Sequence, residues 1–61
     1  MNATLQRRAA ETRLANARRA YALASGRARG DPEAAEEARQ ARREIDRATR
    51  ELARLNAKGM Q

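Results

Sequence analysis

Residues 34, 38, 41, 45, 48, 52 and 55 are Ala, Ala, Ala, Ile, Ala, Leu and Leu: apolar positions spaced four and three residues apart in alternation, with arginines and acids filling most of the gaps. An apolar line with this 3.5-residue period runs along one side of an α-helix and is satisfied only by lying against another helix. With Ala34, Ala41, Ala48 and Leu55 as d positions, Ala38, Ile45 and Leu52 become the a positions of a heptad seam. A strand would need alternation of period two, which is absent here.

The first half carries the same device. Ala3, Ala10, Ala17 and Ala24 recur every seven residues as d positions, and Arg7, Leu14, Tyr21 and Ala28 take the a positions, with Arg7 the one break. Between the halves, GRARGDPEAAEE supplies stop and start signals: Gly30 suits a left-handed conformation, Asp31 can cap, Pro32 fits the first helical position, and Glu33 complements the dipole of the first turn. The chain is therefore predicted to be all-α, a two-helix antiparallel coiled-coil hairpin with an Ala-rich seam. It forms one helical hairpin over residues 1–61, with helix one at about 3–28, a turn at 29–31 and helix two at about 32–57. The pair Ser25-Gly26 offers an earlier stop, so the sequence leaves the end of helix one open between Ser25 and Ala28. Gly59 is expected to terminate helix two, and residues 57–61 to fray.

Folding back about Asp31 sets Ala24 against Ala38, Tyr21 against Ala41, Ala17 against Ile45, Leu14 against Ala48 and Ala10 against Leu52. Large faces small in the middle layers, which lets two helices approach closely without voids. The g flanks, which pair with each other in an antiparallel coil, then bring Arg27 to Glu37, Ala20 to Glu44 and Arg13 to Glu51. The opposite flank brings Arg18 to Arg42, a like-charge pair.

Composition narrows the chemistry. Sixteen alanines and five leucines stand beside one isoleucine and one tyrosine, with no valine, phenylalanine or tryptophan, which is helix-forming material with almost no strand formers. Cysteine and histidine are both absent, which removes the thiolate nucleophile, the imidazole base and the soft metal ligands. Glu33, Glu36 and Glu37 cluster at the start of helix two, but they read as complements to the helix dipole and to Arg27 rather than as a cation site. The longest apolar run is Ala20 to Ala24, too short to cross a bilayer, and no charged-then-apolar leader opens the chain, so the expectation is a cytoplasmic protein that does not engage membranes.

Two surfaces remain. On helix one, Leu5, Ala9, Thr12, Asn16, Ala20 and Leu23 follow helical spacing about 120° from the seam, forming a candidate partner interface through which two hairpins would pair into a four-helix bundle. The second surface is charge. Fourteen basic residues, thirteen of them arginine, against eight acids give a net charge of +6, and almost all of the excess lies in helix one and the turn. Arg8, Arg18, Arg19, Arg29, Arg42 and Arg43 point outward or lie on a flank and are the candidate anion or nucleic-acid contacts, since arginine's fork binds phosphate bidentately. The codon composition of a GC-rich genome would also favour Arg and Ala together. No aromatic set for stacking bases accompanies the arginines, and Tyr21 belongs to the seam.

YALASGRARG at residues 21–30, followed by RREIDR at residues 42–47, faintly resembles the small two-helix protein of the large ribosomal subunit near the peptide exit tunnel. The resemblance spans about half of the chain and departs where that family is most specific, with Ser25 where the family has Arg and Arg50 where it has Thr. It is read here as convergence of basic hairpins.

The sequence therefore points to a non-enzymatic helical-hairpin protein-interaction module, acting as a homodimer or as a small subunit of a larger assembly of phage or bacterial type. The alternative is a nucleic-acid-binding hairpin that contacts RNA or DNA phosphates through its Arg-rich face. No catalytic residue, cofactor, metal or small-molecule substrate is expected.

Overall fold

The computed structural model describes residues 3–59 and consists of two α-helices, α1 (Ala3–Arg27) and α2 (Pro32–Gly59), folded against each other as an all-α hairpin. Every seam position from Arg7 to Leu55 is buried or half-buried, and outside the seam, among the described residues, only Asp31, Ala35 and Glu51 are shielded to a similar degree. Ala10, Ala17, Ala24, Ala34, Ala38, Ala41, Ala48 and Leu55 form the buried core. The larger side chains of Leu14, Tyr21, Ile45 and Leu52 are only half-buried, because a two-helix seam has no third element to close over its edges. The alanines let the helices lie close, and the hairpin measures 48 × 14 × 13 Å.

The turn follows from three residues. Gly30 takes φ = +80°, a conformation that costs a residue with a Cβ but not glycine, and the Asp31 amide donates to the Ala28 carbonyl at 3.3 Å. Asp31 then caps α2: its Oδ1 accepts from the amides of Glu33 at 3.1 Å and Ala34 at 3.3 Å, and its carbonyl accepts from Ala35 at 3.0 Å. Pro32 loses nothing at the first helical position, where an amide would have no intrahelical partner.

The ends of the helices differ from expectation by a residue or two. α1 runs through Gly26 and stops at Arg27, between the two ends the sequence left open, with Ala28 outside the helix. The Ser25 hydroxyl donates to the Ala22 carbonyl at 3.5 Å and the Ala28 amide donates to the Ser25 carbonyl at 3.4 Å, so the last turn closes on itself before Gly30 reverses the chain. α2 is helical to Gly59, the residue expected to end it, two residues past the boundary expected near 57. The fraying expected over residues 57–61 is not seen at 57–59, which are helical; Met60 and Gln61 lie outside the described residues.

Gly26 sits in a helix with open space where a Cβ would be. Gly26→Ala is therefore expected to stabilise the hairpin by about 0.5–1 kcal/mol, read as a higher thermal midpoint at fixed protein concentration. An unchanged or lower midpoint would place the end of α1 before Gly26.

Candidate functional site

α2 is sharply amphipathic, whereas the apolar residues of α1 are spread around its circumference. That spread has a specific cause. Besides the seam, α1 carries Leu5 and Leu23, which are 61% and 65% exposed and are the large apolar side chains left in solvent among the described residues. Separated by about five helical turns, roughly 27 Å, they fall on one line along the helix. Ala9, Thr12, Asn16 and Ala20 lie between them along the same face, and all four are exposed.

The hairpin fold adds something to this face that helical spacing in one helix does not contain. An open groove of about 700 Å³ runs along the junction of α1 and α2, lined on one side by Asn16, Ala20 and Leu23 and on the other by Gln40, Glu44 and Arg47, with Ala17 and Ala41 also contributing. The g flank explains it. Arg13 Nη1 bridges to Glu51 Oε1 at 3.1 Å and Arg27 Nη2 to Glu37 Oε1 at 3.5 Å, but between them Ala20 faces Glu44 and has no side chain to reach across. Glu44 turns instead to Arg47 on its own helix, at 3.4 Å. The flank dips at Ala20, and the dip is continuous with the exposed Leu23. The groove thus gathers Asn16, Ala20 and Leu23 of the six candidate interface residues; Leu5, Ala9 and Thr12 lie outside it, nearer the open end of the hairpin.

The six candidate anion-binding arginines divide into two groups. Arg8, Arg18, Arg19 and Arg29 are exposed and enter no ion pair among the described residues. Arg42 and Arg43 are also exposed but are engaged within α2: Arg42 Nε approaches Asp46 Oδ1 at 3.9 Å, and Arg43 Nη2 approaches Glu36 Oε2 at 3.7 Å. Glu36 also accepts from Arg39 Nε at 3.2 Å and Arg39 Nη2 at 2.7 Å. The Arg39 hydrogen bonds and charge, with help from Arg43, hold the Glu36 carboxyl below the usual carboxylate range. This pairing is therefore complete at neutral pH and is given up as pH falls through that lowered range. The supply of acids explains the division: in α2 Arg42 finds Asp46 four residues on and Arg43 reaches back two turns to Glu36, whereas α1 contains a single acid, Glu11.

Among the described residues, one buried side-chain polar atom lacks a partner. The Nε of Arg7 is buried without a hydrogen bond at the a position that breaks the seam. Arg7 is half-buried in the layer it shares by register with Leu55. Among the described residues there is no group of acids, cysteines or histidines arranged to hold a metal ion, and no helix is long and apolar enough to cross a membrane.

The fold and this face define an all-α helical hairpin that leaves a second apolar line on one helix uncovered. In comparisons with protein families, curated proteins and solved structures, the chain matches none.

Proposed function

We propose that the chain is a non-enzymatic helical-hairpin interaction module that acts through the outer face of α1, as a homodimer or as a small subunit of a larger assembly. The observation that carries this reading is the exposure of Leu5 and Leu23 on one line of α1. Single exposed leucines are ordinary on a protein surface. Two on one line, with small or short polar residues between them and a groove beside one of them, form a strip into which another helix can pack. The hairpin also has reason to associate, since its seam is built mainly of alanine and, apart from Leu55, its larger apolar side chains are only partly buried.

The test is a Leu5→Lys/Leu23→Lys chain, tagged and expressed in its own cells beside the tagged wild type. The expected result is wild-type helicity with loss of the complexes the wild type forms, seen by cross-linking and size exclusion. A variant that keeps those complexes overturns the reading.

A second reading is supported by the four unpaired arginines Arg8, Arg18, Arg19 and Arg29, which would contact the phosphates of RNA or DNA. Neutralising four phosphates gives an expected slope of about −3.6 in the logarithm of duplex-DNA affinity against the logarithm of salt concentration. Failure to bind heparin or duplex RNA at low salt rejects this reading.

A further inference from the structure

The order of residues along the exposed strip specifies what covers it. From the N-terminal end, the strip reads Leu5, Ala9, Thr12, Asn16, Ala20, Leu23: large, small, polar, polar, small, large, the same in both directions. A strip of this kind maps onto itself when turned end over end, setting like residues level with like, which is the operation of a two-fold axis perpendicular to the helix. We propose that the partner of this face is a second copy of the chain, with α1 packed antiparallel on α1 and the axis crossing at the level of Leu14. Leu5 of each copy then meets Leu23 of the other, the alanines Ala9 and Ala20 face each other, and Thr12 lies beside Asn16 in the centre, where amide and hydroxyl can hydrogen-bond. This inference rests on the interaction reading above and chooses among its partners.

The amount of surface agrees. The hairpin exposes 4920 Å², against about 3,950 Å² for a compact monomer of its 6.8 kDa mass. Its radius of gyration is 14.0 Å, where a compact chain of 61 residues has about 10.5 Å. The surplus of about 970 Å² per copy follows from the elongated 48 × 14 × 13 Å shape, and it leaves the surface that an interface of ordinary size requires. The groove supplies the fit at each end: Leu5 of one copy lands beside Leu23 of the other, over the dip at Ala20 between the Arg13–Glu51 and Arg27–Glu37 bridges. Both copies' second helices lie on the same side of the paired α1 helices, so the product is an arc of four helices with the two α1 helices at its centre.

The pairing has an electrostatic signature. Arg8 and Arg19 lie along the edge of the strip away from α2, and the two-fold sets Arg8 of each copy beside Arg19 of the other, a like-charge contact made twice. An acidic partner helix would invert this, turning repulsion into attraction. Self-association should consequently tighten as salt screens the repulsion, whereas binding to an acidic partner would weaken.

Sedimentation equilibrium on the purified full chain, from about 1 μM to about 1 mM, decides the matter. The wild type is expected to dimerise, more tightly at high salt. Leu5→Ala/Leu23→Ala, which removes four leucines from the pair, is expected to weaken the dimer about 100-fold or more with helicity retained. Arg8→Glu is expected to tighten it about tenfold, because two repulsive contacts become ion pairs with Arg19. A parallel pairing would instead set the new glutamates against each other. A dimer indifferent to the leucine substitutions, or one weakened by Arg8→Glu, overturns this arrangement. A chain monomeric throughout overturns the second copy as occupant. The interaction reading fails separately, and only if the Leu5→Lys/Leu23→Lys chain keeps its cellular complexes.

Discussion

Ala41→Leu is expected to destabilise the hairpin by about 1–3 kcal/mol, lowering its thermal midpoint by roughly 5–20 °C. Ala41 is 6% exposed and lies, by register, at the level of Tyr21, the bulkiest residue of the seam. The layer works because one side is a methyl group; three more carbons there must push the helices apart or force Tyr21 into solvent. The control is Ala53→Leu on the exposed side of α2, where the same change of volume meets no neighbour and is expected to stay within about 0.5 kcal/mol of the parent. Equal midpoints for the two variants, measured at the same protein concentration, would mean that Ala41 is not held in a close seam.

Truncation at the other end of the hairpin is expected to cost as much. Leu55 is 8% exposed and is the one large side chain in the buried core among the described residues. Leu55→Ala is expected to cost about 2 kcal/mol, near the lower end for buried leucines, because the seam is open at its edges and can relax. Leu52→Ala, at a half-buried position, is expected to cost less. A small helical hairpin has only a few kcal/mol to lose, so the Leu55 variant should show partial helix loss even at room temperature. Chemical denaturation followed by circular dichroism measures both, and a larger loss for the Leu52 variant would contradict the assigned register.

How much of this was legible from sequence depended on whether the controlling physics was local. Heptad spacing, the glycine that must turn left-handed, the capping aspartate and the proline beside it each act within a few residues, and the seam and turn follow from them. The pairs Arg13–Glu51 and Arg27–Glu37 were legible too, because an antiparallel register fixes which flank residues meet. The groove at Ala20 was not. The sequence shows Ala20 opposite Glu44, but that this missing bridge opens a dip joined to Leu23 depends on where Glu44 goes, and it goes to Arg47.

The arginines show the same limit. Outward position alone put Arg42 and Arg43 with Arg8, Arg18, Arg19 and Arg29, but rotamers within α2 set the first two beside Asp46 and Glu36. α1 has only Glu11 to offer its own arginines, so those that do not reach across to α2, as Arg13 and Arg27 do, stay uncompensated. The end of α1 at Arg27 turned on weak competition, since the local hydrogen bonds around Ser25 offset the cost of Gly26 by amounts no single-residue preference resolves.

The claim beneath all of these is that one chain doubles back on itself at Gly30. Double electron–electron resonance between nitroxides placed at Thr4 and Asn56, with labelled chains diluted into unlabelled ones so that only distances within a chain are read, tests it directly. Both positions are exposed and sit on the same flank of the seam. The hairpin gives a separation below about 25 Å, set by adjacent helix axes and the reach of two labels. A mean near 75 Å, the length of one continuous helix over those residues at about 1.5 Å each, would contradict it.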